Sequence, residues 1–292
     1  MKRIILSNWR STALVFFGCF IVFFVWNLNE RMSDRTLEYF LNPSQVKKCH
    51  AAEVRWSHAV NSRSRLTEAL SGPTHMIEAD VIIRGRDPKE PIMAHPPDTD
   101  SDITLKEWLE GVKDHNKGIK LDFKSLEAVS PSVALLEEVY QPDRPVWINA
   151  DILSGPGGQA RPLDPQAFLF SVKTLPSHTV LSLGWTTGWT AGTDNAGYSW
   201  NMVRVMEEIC RALKNPVTFP VRAALLAQSF SQLSWLLQQS DRYTLTVWTG
   251  QNDEFTLQDL LPYKEELDIH RIYYDLQDSG RTELSMTLQD NN

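Results

Sequence analysis

The feature that most constrains the fold is a regular alternation of strand-like and helix-like segments between residue 49 and the end of the chain. The strand-like segments are rich in β-branched and aromatic residues, and several helix-like segments begin just after Ser, Thr or Asp, which commonly cap helices. The eight predicted strands span residues 54–58, 76–83, 119–124, 146–151, 180–185, 217–222, 244–248 and 269–275. The seven predicted helices span residues 64–70, 105–114, 132–140, 165–174, 199–213, 229–238 and 257–263.

Eight strands joined by helical crossovers predict a parallel α/β sheet that closes into a (β/α)8 TIM barrel. The segment 49–292 is close to the roughly 250 residues typical of that fold. A doubly wound open sheet is the alternative, but it usually carries a Gly-rich phosphate turn after its first strand, and none follows residues 54–58. We therefore expect functional residues at the carboxyl ends of the barrel strands.

Residues 12–28 are seventeen consecutive residues without a charge, which is just long enough to span a bilayer. The run is followed by no small-residue cleavage site, so an uncleaved transmembrane signal anchor is favoured over a signal peptide, whose removal would make the protein secreted. Lys and Arg residues are slightly more frequent before the run than after it, which predicts a cytoplasmic tail at 1–11 and a lumenal or extracellular barrel. A stalk or short helix at 29–48 would connect the anchor to the barrel domain at 49–292.

Charge and cysteine content narrow the function classes. The formal net charge of -7 argues against a general nucleic-acid-binding protein. Of the three cysteines, Cys19 lies in the apolar run, and Cys49 and Cys210 could pair in an oxidising compartment without forming a disulfide scaffold.

Two predicted strands carry charged residues two positions apart. Side chains at i and i+2 of a strand share a face, so Glu78 and Asp80 lie together, as do Lys120, Asp122 and Lys124. Three carboxylates at the mouth of a barrel form an oxygen cluster suited to Mg²⁺ or Ca²⁺. The same residues could instead form an ion network in which the two lysines neutralise the carboxylates.

Two histidines stand at predicted strand ends, where barrels keep catalytic residues. His58 ends the first strand, and His95 ends a short strand at 92–95. A histidine pair can remove one proton and deliver another during phosphoryl transfer. Four other histidines are expected to be solvated or capping residues: His75, His115, His178 and His270.

Five motifs follow one another along the chain: His58-x-x-Asn61, Glu78-x-Asp80, His95, Asp122-x-Lys124 and Val247-Trp248-Thr249. Their order resembles the phospholipase-C-like phosphodiesterase superfamily, including glycerophosphodiester phosphodiesterases and spider-venom sphingomyelinase D. Two further segments are Gly184-Trp185-Thr186-Thr187 and Phe219-Pro220-Val221-Arg222. With them, residues 50–275 resemble more closely the menorin family of extracellular or membrane-tethered relatives of these enzymes.

The resemblance implies catalytic roles for His58 and His95, and divalent-cation binding by Glu78, Asp80 and Asp122. It also implies that Lys124 contacts the phosphate, that Trp248 lines the substrate mouth, and that Asn61 orients His58 or the phosphate. Asn149 and Asp151, at the end of the fourth predicted strand, and Arg222, at the end of the sixth, either line the pocket or are ordinary strand-end polar residues. Ala59-Val60 replaces the Arg-Gly of glycerophosphodiesterases, which puts glycerol-type substrates in doubt.

The sequence thus predicts a metal-dependent phosphodiesterase that acts on a lipid or glycerol-type phosphodiester, as a hydrolase or a phospholipase-D-like lyase. One rival is a catalytically inactive module that binds an extracellular adhesion partner. Another is a glycosidase-like barrel that uses two carboxylates, which would leave Asp122-x-Lys124 and the two strand-end histidines unexplained.

Overall fold

The computed structural model of the protein describes residues 34–41, 50–140, 143–250 and 252–276. The strands are β1 (Trp56–Ser57), β2 (Met76–Ile83), β3 (Pro91–Met93), β4 (Gly118–Phe123), β5 (Val146–Ser154), β6 (Val180–Thr186), β7 (Val217–Arg222), β8 (Tyr243–Trp248) and β9 (Ile272–Asp275). Eight of them are parallel and follow one another around a nearly closed barrel, in the order β1-β2-β4-β5-β6-β7-β8-β9, and β9 lies beside β1. The remaining strand, β3, pairs antiparallel with β2 outside this path.

Helices connect successive strands and cover the outside of the barrel. They are α1 (Thr36–Leu41), α2 (Arg63–Ser71), α3 (Leu105–Val112), α4 (Leu126–Val139), α5 (Pro165–Val172), α6 (Trp200–Cys210), α7 (Phe230–Gln238) and α8 (Leu257–Glu266). The main hydrophobic core lies between the apolar faces of the strands and these helices. The β/α barrel predicted from the sequence is confirmed.

Several predicted elements have other bounds in the structure. The first barrel strand is only Trp56–Ser57, because residues 51–53 form a single 3-10 turn before it. The short strand before His95 is Pro91–Met93, and it folds back on β2 as a hairpin instead of joining the barrel. Helix α4 starts at Leu126 rather than 132, and Pro131 lies inside it.

The amino-terminal end of the barrel is closed by α1. Phe40 of this helix is fully buried in a separate apolar cluster with Trp56, Trp147 and Tyr273 from the barrel strands. The Trp147 Nε1 donates a hydrogen bond to Thr36 Oγ1 at 2.8 Å. Part of the segment 29–48 is therefore a short helix packed on the barrel.

The membrane anchor predicted at residues 12–28 lies outside the described residues. Within the described ranges, no helix is both long and apolar enough to cross a bilayer. Cys49 also lies outside them, and Cys210 is buried in α6. The anchor, the stalk and the pairing of the two cysteines stay predictions.

Candidate functional site

The carboxyl ends of β1, β2, β4, β5 and β9 bring a group of charged side chains together at the mouth of the barrel. Strand register explains the arrangement: Asp80 of β2 pairs with Asp122 of β4, and Asp122 pairs with Asn149 of β5. Glu78 pairs in the same way with Lys120. The alternation predicted from the sequence therefore places these side chains on the inner face of the barrel.

Three carboxylates converge on one point. Each of Glu78, Asp80 and Asp122 offers an oxygen within 4.8 Å of those of the other two. Glu78 and Asp80 are buried, and Asp122 is partly buried. Hard oxygen ligands at this spacing suit a small divalent cation such as Mg²⁺ or Ca²⁺, so these three residues could hold one.

His58 follows β1 and reaches into this cluster. Its Nδ1 lies 2.9 Å from Asp275 Oδ2 and 3.2 Å from Glu78 Oε2, while 47% of the side chain remains exposed. Glu78 and Asp275 raise the pKa of His58 to about 10, against the effect of burial. Burial raises the pKa of Glu78 to about 7, although His58 lies beside it. His58 is thus held as a cation with its Nε2 directed away from the carboxylates.

The segment after His58 is fixed to β2 by hydrogen bonds. The backbone N–H of Ala59 donates to Glu78 Oε2 at 2.7 Å. Asn61 donates from Nδ2 to Asp80 Oδ2 at 2.7 Å, and its Oδ1 accepts from the Asp80 backbone N–H at 2.9 Å. In this structure Asn61 orients Asp80; its proposed contact with the phosphate or with His58 stays a prediction.

Lys124 sits between two of the carboxylates. Its Nζ is 2.6 Å from Asp122 Oδ2 and 3.1 Å from Asp80 Oδ1. Burial would raise the pKa of Asp122, but Lys124 and Lys120 outweigh it and lower that pKa to about 2. Lys120 is buried 4.0 Å from Asp275 Oδ2. Only part of the ion network that the sequence left as an alternative is therefore present among the described residues: Lys124 pairs with Asp80 and Asp122, whereas Lys120 pairs with Asp275 and Glu78 has no lysine within ion-pair distance.

The lysines do not neutralise the mouth. Five carboxylates face two lysines and His58, so full ionisation of all five would leave two excess negative charges even with His58 protonated. Burial opposes this by raising the pKa of Glu78 and of Asp151 to about 7. The five are Glu78, Asp80, Asp122, Asp151 and Asp275. Buried charge of one sign is costly, and one divalent cation would balance the remainder. The donor set and its charge both fit such an ion.

His95 lies at the edge of the site. Its side chain is exposed and its Nδ1 donates to the Pro96 carbonyl oxygen at 2.6 Å. The preceding Ala94 N–H donates to the Asp80 carbonyl at 3.0 Å, which ties this loop to β2. With Nδ1 as the donor, the neutral ring presents Nε2 as a proton acceptor. No ion pair or hydrogen bond joins the His95 ring to the carboxylate cluster among the described residues.

The other predicted substrate-binding residues form two groups: Asn149 lies at the carboxylate cluster, and Arg222 and Trp248 lie together away from it. Asn149 is buried and donates a side-chain hydrogen bond to Asp122, while its Oδ1 accepts from the Ser182 hydroxyl. Arg222 is instead committed to Asp253, through Nε to Oδ2 at 2.8 Å and Nη2 to Oδ1 at 2.5 Å. The Arg222 guanidinium lies 5.3 Å from the centre of the Trp248 ring, so these two residues form a rim at the ends of β7 and β8.

Asp275 was missed by sequence reasoning. It ends the last strand, and that position next to the first strand is the signal that could have identified it as the partner of His58. His75 was placed wrongly among the solvated or capping histidines: it is buried, and its Nδ1 accepts from the Arg55 N–H.

Comparisons with a family model and with a curated protein point to one family. The menorin N-terminal domain matches residues 50–281. The human protein FAM151B is 51% identical over 259 residues, which cover 88% of this chain and 94% of that protein.

Solved structures are more distant. A dihydropteroate synthetase crystal structure overlaps 80% of this chain and 92% of its own, with a TM-score of 0.42 at 11% identity. The crystal structure of S. officinalis PLC21 overlaps 79% of this chain and 28% of its own, with a TM-score of 0.34 at 12% identity.

Proposed function

Because this chain belongs to the menorin family, whose resemblance to phosphodiesterases rests on the residues now grouped at the barrel mouth, we propose that it is a metal-dependent phosphodiesterase. The observation that carries the proposal is the convergence of Glu78, Asp80 and Asp122 beside His58 and Lys124. The substrate would be a lipid or glycerol-type phosphodiester, cleaved with water or with a neighbouring hydroxyl of the substrate as nucleophile.

Glu78, Asp80 and Asp122 would hold one divalent cation, Mg²⁺ or Ca²⁺. When bound, the cation polarises a phosphoryl oxygen and stabilises developing negative charge. Lys124, which pairs with Asp80 and Asp122, would supply a second positive charge to the phosphoryl oxygens of the substrate.

The two histidines would share the proton transfers. His58 is held as a cation by Glu78 and Asp275, which suits it to donate a proton from Nε2 to the leaving oxygen. His95, with Nδ1 donating to a carbonyl, presents Nε2 as the base for the attacking hydroxyl. In this proposal Asn149 positions Asp122, Asn61 positions Asp80, and Trp248 lines the entrance.

The proposal is tested by turnover of the full-length protein in detergent on lysophospholipids, sphingomyelin and glycerophosphodiesters, with added Mg²⁺ or Ca²⁺. General acid–base groups typically contribute 10²–10⁴-fold, so His58→Ala and His95→Ala should each lower kcat by about a hundredfold or more. Because both act in one cycle, the double variant should lose much less than the product of the single losses. His115→Ala, at an exposed histidine before β4, is the matched control.

A second candidate is a catalytically inactive barrel that binds an extracellular adhesion partner. The observation that favours it is Lys124, whose ion pairs with Asp80 and Asp122 partly neutralise the carboxylates that would otherwise bind a cation. Wild-type protein that binds the ion yet turns over none of these phosphodiesters would select this candidate.

We also propose that residues 12–28 anchor the protein as a single-pass membrane protein with a lumenal or extracellular barrel. The mature chain should then begin at Met1 and stay with membranes in alkaline carbonate. A mature start near Asn29 would make the protein secreted.

A further inference from the structure

Asp151 is a carboxyl group at the barrel mouth for which the described residues supply no hydrogen-bond donor and no ion pair. Asn149 pairs with Asp122 across β4 and β5, so Lys124 and Asp151, each two residues further on, lie one layer nearer the mouth. Asp122, Lys124 and Lys120 all influence Asp151 electrostatically, yet both lysines make their ion pairs elsewhere. Enclosing a carboxylate without a hydrogen-bond donor costs free energy. We therefore expect a bound ligand to supply the donor.

The backbone around Asp151 makes room for this carboxyl. Gly184 is its register partner on β6, and a Cβ at that position would lie 2.4 Å from Asp151 Oδ1 and 2.9 Å from Pro220 Cγ. Any side chain at 184 would therefore displace the carboxyl. The register between β5 and β6 shifts directly after Asp151, and such bulges commonly redirect side chains beside functional sites.

We propose that Asp151 is a specificity-determining residue that accepts a hydrogen bond from a second hydroxyl on the alcohol esterified to the phosphate. This inference rests on the proposed function, and it narrows the substrate to phosphodiesters of a polyol. With the proposed divalent cation bound, the lysines, His58 and the cation together balance the carboxylates, so a neutral hydroxyl fits this carboxyl better than an amine, which would add a further positive charge.

The matched ligands for the test are sn-glycerol 3-phosphate and propyl phosphate, which share the phosphate and differ in the hydroxyls. Binding to the full-length protein is measured by calorimetry with Ca²⁺ present. Hydrogen bonds to charged groups contribute about 1.5–3 kcal/mol, so the wild type should bind glycerol 3-phosphate at least about tenfold more tightly. Asp151→Ala should abolish this preference.

The direction in which the Kd of each ligand changes distinguishes a ligand contact of Asp151 from a structural role. Asp151→Ala and Asp151→Asn remove a negative charge near a phosphate, so the Kd of propyl phosphate should stay or fall while that of glycerol 3-phosphate rises. Asp151→Asn should also leave the Tm of the ligand-free protein unchanged or higher, since it replaces a partly buried carboxyl that has no hydrogen-bond donor among the described residues. Asp241→Asn, at an exposed aspartate before β8, should change nothing.

The proposal fails if the wild type shows no preference, if Asp151→Ala weakens both ligands equally, or if phosphoethanolamine binds more tightly than glycerol 3-phosphate. These results are distinguishable from failure of the proposed function. Turnover without any hydroxyl preference would overturn only the role of Asp151. An Asp151-dependent preference without turnover of any phosphodiester would overturn only the enzymatic activity.

Discussion

The Nδ1 of His58 and the Oδ2 of Asp275 lie 2.9 Å apart, joining the segment after the first barrel strand to the end of the last strand. The contact spans the place where the sheet closes least completely, because no ladder pairs β1 with β9 among the described residues. Asp275 is buried, whereas His58 opens toward solvent at the mouth. This pair therefore connects closure of the barrel to the orientation of a proposed catalytic group.

The first prediction concerns this pair. Asp275→Asn should lower the pKa of His58, which Glu78 and Asp275 raise to about 10, and NMR titration of the imidazole measures it. A histidine whose folded-state pKa lies above its unfolded value of about 6.5 adds stability below pH 6.5, and that stability is lost as the pH rises through 10. The loss of unfolding free energy caused by Asp275→Asn should thus be larger at pH 6 than at pH 10.5.

Asp268→Asn is the matched control for this prediction, since Asp268 pairs with the exposed His270 and not with His58. An unchanged His58 pKa in Asp275→Asn would show that Glu78 alone sets the charge state of this histidine.

The barrel itself was predictable because each inner strand carries a strong local signal. Residues 76–83 and 217–222 were predicted with the bounds that the structure shows, since β-branched and apolar residues fill these strands. The grouping of Glu78, Asp80 and Asp122 followed from the two-residue period of strands that end at one edge of a parallel sheet.

Other features depend on tertiary contacts that no local pattern carries. The polar segment containing α1 becomes helical where Phe40 and Thr36 meet the barrel end. Asp275 became a site residue only because the last strand returns beside the first. The ion pair between Arg222 and Asp253 joins the end of β7 to the loop after β8, so the sequence of the strand gave no sign that its last residue was already partnered.

The second prediction distinguishes a carboxylate cluster that binds a divalent cation from an ion network that binds none. Saturating Mg²⁺ or Ca²⁺ should raise the Tm of the full-length protein, because a ligand at a hundredfold excess over its Kd contributes about 2.7 kcal/mol. Glu78→Gln, Asp80→Asn and Asp122→Asn should each remove most of this rise, measured against chelator by calorimetry.

Lys124→Met should do the opposite and enlarge the rise. Without Lys124, Asp80 and Asp122 repel each other in chelator, and only a cation can replace the lost charge. Asp98→Asn, at an exposed acid on the neighbouring loop, should leave the rise unchanged. If all three carboxylate variants kept the rise, the cluster would be an ion network without a cation.

The third prediction concerns closure of the barrel end by α1. Thr36→Val keeps the shape of the side chain but removes the acceptor for the buried Trp147 Nε1. A buried donor left without a partner costs about 1–3 kcal/mol, which urea unfolding of the full-length protein measures. Thr67→Val, the same change at an exposed position of α2, should cost much less. Equal costs at the two sites would show that α1 does not contribute to the stability of the barrel.

The last prediction concerns the space that Gly184 leaves for Asp151. Gly184→Ala places a Cβ 2.4 Å from Asp151 Oδ1, so it should destabilise the protein by about 1–3 kcal/mol, the usual cost of overpacking. Asp151→Ala removes the clashing oxygen and should recover part of that cost, leaving the contact with Pro220 as the remainder. A double-mutant cycle by urea unfolding should therefore show non-additivity of about 0.5–3 kcal/mol, as expected for side chains in contact. Additive losses would mean that the carboxyl moves aside without strain, and that Gly184 is not what holds Asp151 toward the mouth.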